Sequence, residues 1–180
     1  MFQNFNFPLK VLLLGGLKCG KSSYALKLGN GLKVKSRVYI ATSQPFDEEM
    51  RKKIERHKKE RGDQWKTVES HLDLATSLMK FENKQDTAVV IDCFTMWVNN
   101  MLFFDWSDDK IFEAFEKVLD VIKRAKCHII GVSNEVGLGV IPDNKLTRRY
   151  VNLLGEFNQR CASVFSDVLF MIAGLPVKVK

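Results

Sequence analysis

The stretch GGLKCGKSS, residues 15–23, follows directly on the apolar run LKVLLL and has the spacing G-x-x-x-x-G-K-S of a phosphate-binding P-loop. Glycines in such a loop allow tight turns that point successive backbone N–H groups at phosphate oxygens. Lys21 supplies a positive charge for the β- and γ-phosphates, and Ser22 offers a hydroxyl to Mg²⁺. The loop therefore predicts binding of a nucleoside triphosphate and leaves the reaction open.

The length of 180 residues and the hydrophobic content of 46% predict a single domain over residues 1–180, with residues 1–9 as an extension before the first strand. No segment approaches the roughly 18 consecutive apolar residues that cross a bilayer. The start MFQNFNFPLK lacks the basic and apolar regions of a signal peptide, and the four cysteines are scattered. We therefore expect a cytoplasmic protein with reduced thiols and no membrane span.

The net charge of +7 comes largely from RKKIERHKKER, residues 51–61. Nucleic-acid binding is one interpretation of such a segment. A solvated helix face or a funnel for anionic small substrates is the other. Because no aromatic-rich binding motif accompanies the charge, we expect no nucleic-acid partner.

Apolar β-type runs alternate with helical patterns along the chain. The pattern predicts strands over 10–14, 37–41, 66–68, 88–91, 128–132, 168–173 and 177–179, and helices over 21–28, 48–61, 72–81, 95–104, 110–124 and 145–164. Such alternation is typical of βαβ units. The predicted fold is therefore a single-domain P-loop α/β fold, with a mostly parallel central sheet flanked by helices.

Polar motifs follow the strands at the edge where ligands of such folds bind. Asp92 ends an apolar strand, as the carboxylate that holds Mg²⁺ does in P-loop enzymes, although capping of the next helix is the alternative. Glu69 is a second strand-end carboxylate, with a metal or nucleotide role or a plain surface role. The loop NEVGLGVIPDN, residues 134–144, is either a substrate lid or a connector. These motifs should converge at one edge of the sheet.

His57 shares one face of its predicted helix with Met50 and Ile54, while the basic residues spread over the other faces. Its ring should therefore point toward the protein body. A core histidine and a catalytic histidine both fit that position. His71 and His128 show no comparable setting and are expected to be structural.

Together the motifs resemble those of the bifunctional adenosylcobinamide kinase/adenosylcobinamide-phosphate guanylyltransferase family of cobalamin biosynthesis. The segments that carry the resemblance are, in order, GGLKCGKS, YIATSQ, DEEMRKKIERHK, WKTVE, IDCFTMWVNNML, NEVGLGVIPDNKLTRRY and NQR. They extend from about residue 10 to the C-terminus. This combination is more specific than the P-loop alone.

The resemblance implies two reactions on one corrinoid. A nucleoside triphosphate, ATP or GTP, phosphorylates the aminopropanol hydroxyl of adenosylcobinamide. GMP is then transferred from GTP to that phosphate through a guanylyl-histidine intermediate, giving adenosylcobinamide-GDP and pyrophosphate. The family resemblance places this histidine at His57 and also implies a homotrimer.

The P-loop and the strand-end carboxylate predict a catalytic role for Lys21 and a magnesium site at Ser22 and Asp92, and the resemblance adds the catalytic role of His57. The resemblance also implies nucleotide contacts at Gly15, Gly16, Leu17, Lys18, Cys19, Gly20, Lys21, Ser22, Thr42, Ser43, Gln44, Lys58, Lys59, Glu60, Arg61, Glu69 and Asp92. Three positions depart from the common family pattern. Lys18 and Cys19 replace Arg and Ser in the loop, and Arg56 stands where some relatives have a second histidine.

Two other functions also fit a P-loop chain. One is a small-molecule or nucleotide kinase without the nucleotidyl step, which would form no covalent enzyme species. The other is a regulatory or assembly module that binds nucleotide and turns over no corrinoid.

Overall fold

The computed structural model describes residues 7–45, 48, 51, 52, 55, 58 and 61–180. Within these residues the chain is α/β. The strands are β1 Lys10–Gly15, β2 Ser36–Ala41, β3 Lys66–Glu69, β4 Thr87–Asp92, β5 His128–Val132, β6 Asp167–Ile172 and β7 Leu175–Lys178. The helices are α1 Lys21–Gly31, α2 Leu74–Met79, α3 Phe94–Phe103, α4 Asp108–Arg124 and α5 Lys145–Val164.

One seven-stranded sheet organises these elements in the order β3-β2-β4-β5-β1-β6-β7. Every neighbouring pair is parallel except β6 and β7, which form an antiparallel hairpin. The predicted mostly parallel sheet is therefore confirmed. No helix among the described residues is long and apolar enough to cross a membrane.

The register of the parallel strands aligns their carboxyl ends. Ala41 lies opposite both Glu69 and Asp92, and Val132 lies opposite both Asp92 and Leu13. These paired residues therefore form one row across five strands, close to the point where β1 leads into the P-loop. Because β5 separates β4 from β1, Asp92 lies about 10 Å from the P-loop strand, two strand spacings away.

The sheet is buried on both faces, as a parallel sheet requires. On one face, Val11 and Leu13 pack with Ala25 and Leu28 of α1. On the other, Leu12 belongs to the larger core formed with helices α2 to α5. Alternation along a single strand thus explains how one apolar run serves two cores.

Polar caps explain where the long helices begin. Ser107 accepts a hydrogen bond from the Lys110 backbone N–H at the start of α4, and Asn144 accepts one from Thr147 N at the start of α5. Acidic residues in the first turn of α4 and basic residues in its last turn also complement the helix dipole.

Several predicted boundaries need correction. Helix α2 begins at Leu74 rather than residue 72, because the Asp73 carboxylate caps it by accepting from Thr76 N. Strand β7 begins at Leu175, since the turn Ala173–Gly174 has positive φ angles of 49° and 84° and brings the chain back at once. In the predicted helix 48–61, the described residues 48, 51, 52, 55, 58 and 61 have helical backbone, and the others lie outside the described residues.

Candidate active site

The P-loop connects β1 to α1 through backbone conformations that favour glycine. Gly15 and Gly20 have φ angles of +145° and +94°, and Lys18 has the left-handed value of +55°. The Lys21 ammonium donates to the Gly15 and Gly16 carbonyl oxygens at 3.0 and 2.5 Å. Lys21 is 6% exposed. The charge predicted for the phosphate cradle therefore lies inside the loop itself.

The β6–β7 hairpin braces the P-loop from the side. Gly174 N donates to the Cys19 carbonyl oxygen at 3.0 Å. A Cβ at Gly20 would lie 3.1 Å from Gly174 Cα, and a Cβ at Gly15 would lie 2.6 Å from the Met171 carbonyl oxygen. The glycines of the loop thus allow close packing against the hairpin, in addition to the close approach of phosphate that the motif predicts. This contact is not evident from local sequence, although the Ala173–Gly174 pair between two β-type runs signals a hairpin.

Asp92 is oriented from the neighbouring strand. The Tyr39 hydroxyl donates a short hydrogen bond to Asp92 Oδ2. The N-cap residue of α3 is Cys93, which makes no side-chain cap bond. The carboxylate of Asp92 therefore engages a tyrosine instead of capping the helix, and among the described residues no bond to its other oxygen is formed.

Arg61 covers the far side of the same tyrosine. Its guanidinium carbon lies 3.9 Å from the centre of the Tyr39 ring, a cation–π distance, and Arg61 is 4% exposed. Burial first, and then the Asp92 charge, raises the pKa of Tyr39 well above its usual value, while Arg61 opposes that shift. Tyr39 is therefore a protonated donor throughout the physiological range.

Thr42 forms the centre of a buried hydrogen-bond network behind the site. Its hydroxyl donates to the Cys93 carbonyl at 2.7 Å and accepts from Cys93 N at 2.9 Å. Asn100 Nδ2 donates to the carbonyls of Thr42 and His71 at 2.8 and 2.9 Å. Thr42 is fully buried. Its side chain thus fixes the ATSQ segment, and its nucleotide contact stays a prediction, as do those of the half-buried Ser43 and Gln44.

Glu69 forms an ion pair with Lys58 at 3.1 Å, and both side chains are about half exposed. The pair joins the basic segment to the site edge of the sheet. The catalytic and nucleotide-binding predictions for His57, Lys59 and Glu60 lie outside the described residues. Lys58 and Arg61 flank positions 59 and 60. The structure places Lys58 close to Glu69 and Arg61 close to Tyr39.

The segment after β5 lies between the P-loop and Asp92. Ser133 N donates to the Leu13 carbonyl, and Glu135 N donates to the Gly15 carbonyl at 3.1 Å. Asn134 N donates to Thr95 Oγ1 at 2.7 Å, and its carbonyl accepts from Asn158 Nδ2 at 3.0 Å. Glu135 thus lies beside the first P-loop glycine. The loop is recognisable in the sequence, but nothing in the local pattern distinguishes this carboxylate.

The cysteines show no sign of catalytic activation. All four are free thiols. Burial and the Asp92 charge raise the pKa of Cys93 to about 12, and burial raises that of Cys127 to about 11. Among the described residues, no cluster of three His, Cys, Asp or Glu side chains could hold a metal ion.

Comparison with known proteins identifies the family. Residues 11–179 match the model of the family described as cobinamide kinase / cobinamide phosphate guanyltransferase. The chain is 38% identical over 174 residues to the bifunctional adenosylcobalamin biosynthesis protein CobP of Pseudomonas aeruginosa, covering 96% of this chain and 98% of the relative. It is 33% identical over 188 residues to the bifunctional adenosylcobalamin biosynthesis protein CobU of Escherichia coli K12, covering 96% of this chain and all of the relative.

A structural comparison supports the fold independently. The assembled ATPase EscN of the enteropathogenic E. coli type III secretion system superposes with a TM-score of 0.60 at 10% identity, covering 91% of this chain and 43% of EscN. At that identity the likeness concerns the fold alone, and it confirms the predicted P-loop α/β class. Sequence and fold agree, and the chain belongs to the cobinamide kinase / cobinamide phosphate guanyltransferase family.

Proposed function

We propose that this chain phosphorylates the aminopropanol hydroxyl of adenosylcobinamide and then transfers GMP from GTP to the new phosphate. The observation that carries the proposal is the alignment of the P-loop, Asp92 and Glu69 along one sheet edge in a member of this family. Both reactions need a triphosphate held by one set of charges, and this edge supplies them.

In either reaction the triphosphate binds with its phosphates against the P-loop amides. Lys21 then exchanges its bonds to the Gly15 and Gly16 carbonyls for bonds to phosphate oxygens. The ammonium is already held within the loop, so little reorganisation is needed to offset the negative charge that develops during phosphoryl transfer. The loop amides and Lys21 thus stabilise the transition state and orient the reacting phosphorus.

The donors at this edge fit Mg²⁺, which prefers oxygen ligands and substrate phosphates. Ser22, in the first turn of α1, and Asp92, with one carboxylate oxygen held by Tyr39, would hold the ion. When bound, Mg²⁺ neutralises charge on the phosphate oxygens. Tyr39 keeps the Asp92 carboxylate turned in one direction before any ligand arrives.

For the second reaction, we propose that the imidazole of His57 attacks the α-phosphorus of GTP. Pyrophosphate leaves, and GMP passes from the histidine to the corrinoid phosphate. The flanking positions support the assignment, since Lys58 pairs with Glu69 and Arg61 packs on Tyr39. Both contacts lie within four residues after His57 and involve residues at or near the site edge of the sheet, which supports a position of His57 near the nucleotide. Nearby cations would then help hold the leaving pyrophosphate.

We further propose that the protein is a cytoplasmic homotrimer with the single domain 1–180, which is what the family resemblance implies. Light scattering on the purified protein tests the trimer, since a mass near three times 20.7 kDa is expected.

An isotope experiment tests the two-step function. The purified chain is incubated with adenosylcobinamide, Mg²⁺, ATP and GTP, with the label either at the γ-phosphorus of both nucleotides or at the α-phosphorus of GTP. In the proposed reaction both labels enter the corrinoid, the γ-phosphorus in the first step and the α-phosphorus in the second. Entry of the γ label alone would identify a kinase without the nucleotidyl step. Entry of neither would favour a nucleotide-binding module.

A further inference from the structure

The loop between β5 and α5 exposes apolar side chains beside a highly charged site. Leu138, Val140 and Ile141 are 78%, 96% and 82% exposed. Exposed large apolar side chains grouped on one loop are unusual in a soluble protein and mark contact surfaces. The seven residues 136–142, VGLGVIP, include no charged side chain. Such a surface does not suit a triphosphate, and it suits a large, weakly charged molecule.

The loop is fixed at both ends by hydrogen bonds. At its start, Glu135 N bonds to the Gly15 carbonyl of the P-loop at 3.1 Å. At its end, the Arg148 guanidinium donates to the carbonyl oxygens of Pro142 and Asp143 at 2.8 and 2.6 Å. The apolar segment thus begins within three residues of a direct contact with the P-loop.

Glu135 lies at the junction of these two regions. Its carboxylate accepts from Gly137 N at 2.9 Å, which turns the side chain along the loop, and the residue is half-buried. Glu135 precedes the apolar tip in sequence, and its own backbone N–H bonds to the P-loop. A hydroxyl carried by a molecule seated on the tip would approach the P-loop past this side chain.

We propose that the loop from Glu135 to Ile141 is the subsite for the alcohol acceptor. Leu138, Val140 and Ile141 contact the apolar face of its macrocycle, and Glu135 receives the proton of its hydroxyl. The proposal rests on the proposed function, which supplies the acceptor. The hydroxyl oxygen bonds to the γ-phosphorus, the bond from that phosphorus to the bridging oxygen breaks, and the nucleoside diphosphate leaves with the electron pair. The hydroxyl proton moves to the Glu135 carboxylate and then to water.

The first test removes the apolar surface. The double variant Val140→Ser/Ile141→Ser changes two largely exposed side chains, so the fold should tolerate it. The KM for adenosylcobinamide should rise by at least about tenfold, while the KM and Kd for the nucleotide stay within about twofold of wild type. Val179→Ser is the matched control. Val179 is 67% exposed and follows β7, which lies on the other side of β1 from β5 in the sheet.

Two results would overturn the subsite. One is an unchanged KM for adenosylcobinamide in the double variant. The other is a loss of oligomer mass by light scattering that accounts for the defect, because the loop would then be an interface between copies of the chain. Titration of adenosylcobinamide, followed by corrinoid absorbance, separates the subsite from the function. If wild type binds the corrinoid without turnover and the double variant does not bind it, the subsite stands and the function falls. If wild type neither binds nor phosphorylates it, both are wrong.

The second test concerns the proton. Glu135→Gln should lower kcat for phosphorylation by at least about tenfold and flatten the acidic limb of its pH profile, while nucleotide affinity is kept. Asp143→Asn, a carboxylate change at the other end of the loop, is the control and should keep the wild-type profile. An unchanged acidic limb in Glu135→Gln would overturn the role of Glu135.

Discussion

The Tyr39 hydroxyl donates to Asp92 Oδ2 across neighbouring parallel strands, and Asp92 faces Ala41 in the register of the same two strands. The donor residue therefore lies two positions before Ala41, the residue of β2 that pairs with Asp92. Arg61 and Trp65 enclose the tyrosine ring, with Trp65 edge-on at a centroid distance of 6.4 Å. A rigid, buried donor of this kind restricts Asp92 to one orientation before nucleotide binds.

Tyr39→Phe should therefore impair catalysis while leaving nucleotide binding without metal nearly intact. Loss of a hydrogen bond to a charged group costs about 1.5–3 kcal/mol, and we expect kcat to fall about tenfold as Asp92 loses its orientation. A raised Mg²⁺ requirement at constant KM for the nucleotide is the specific signature. Asp92→Asn should lower kcat further, and Tyr150→Phe, at a half-buried tyrosine whose hydroxyl faces the Thr95 carbonyl, should change little. An equal effect of both Tyr→Phe changes would contradict the orienting role.

Lys21→Ala should lower both activities by about a hundredfold or more in a folded protein. The ammonium is the side-chain charge inside the P-loop, within hydrogen-bond distance of two of its carbonyls. Removal of such a preorganised charge costs several kcal/mol, of order 3, in transition-state stabilisation. Steady-state rates of corrinoid phosphorylation and guanylylation measure the loss, with circular dichroism to check the fold. Near-normal rates would remove the P-loop from the mechanism.

Most of the fold could be predicted from sequence because the strands are short apolar runs bounded by polar motifs. The alignment of Glu69, Asp92 and the P-loop followed from their positions after such runs. The partners of those residues could not be predicted. Tyr39 appears in the sequence as one more apolar β residue, and only the register of β2 against β4 brings it to Asp92.

The contact between the β6–β7 hairpin and the P-loop could not be predicted from local sequence either. It depends on β6 pairing with β1, a contact between residues about 155 positions apart along the chain. Glu135 was overlooked for a similar reason, since the Gly15 carbonyl that fixes it lies on a distant part of the sequence. Long-range pairing thus decided the details of the site that local pattern left undefined.

Two glycines in helices should respond oppositely to alanine. A Cβ at Gly29 in α1 would lie 2.4 Å from Trp65 Cη2, whereas a Cβ at Gly155 in α5 would meet nothing within 4 Å. Gly29→Ala should therefore destabilise by about 1–3 kcal/mol through overpacking. Gly155→Ala should stabilise by about 0.5–1 kcal/mol through helix propensity and reduced unfolded-state entropy. Chemical denaturation measures both changes, and a stabilised Gly29→Ala protein would contradict the packing of Trp65 on α1.

Stability should fall in mild acid partly because of His128. Its Nδ1 accepts from Leu9 N at 2.9 Å, and burial lowers its pKa below the usual value. As pH falls through the unfolded-state pKa near 6.5 toward the lower folded value, the unfolded chain takes up the proton first, and folding is destabilised. His128→Asn keeps an acceptor and removes the titration. The melting temperature of this variant should therefore depend less on pH between about 7 and 5 than that of wild type; an identical dependence would exclude His128 as a contributor.

Covalent labelling tests the central claim, that guanylyl transfer passes through His57. Wild-type protein incubated with α-labelled GTP and Mg²⁺ should acquire label in a bond that is labile to acid and stable to alkali, as a phosphorus–nitrogen link to histidine is. His57→Ala should lose the label, whereas His71→Asn and His128→Asn should keep it, and phosphorylation of adenosylcobinamide by His57→Ala should persist in part. Label that remains in His57→Ala, or that mass spectrometry finds on a lysine, would contradict the account.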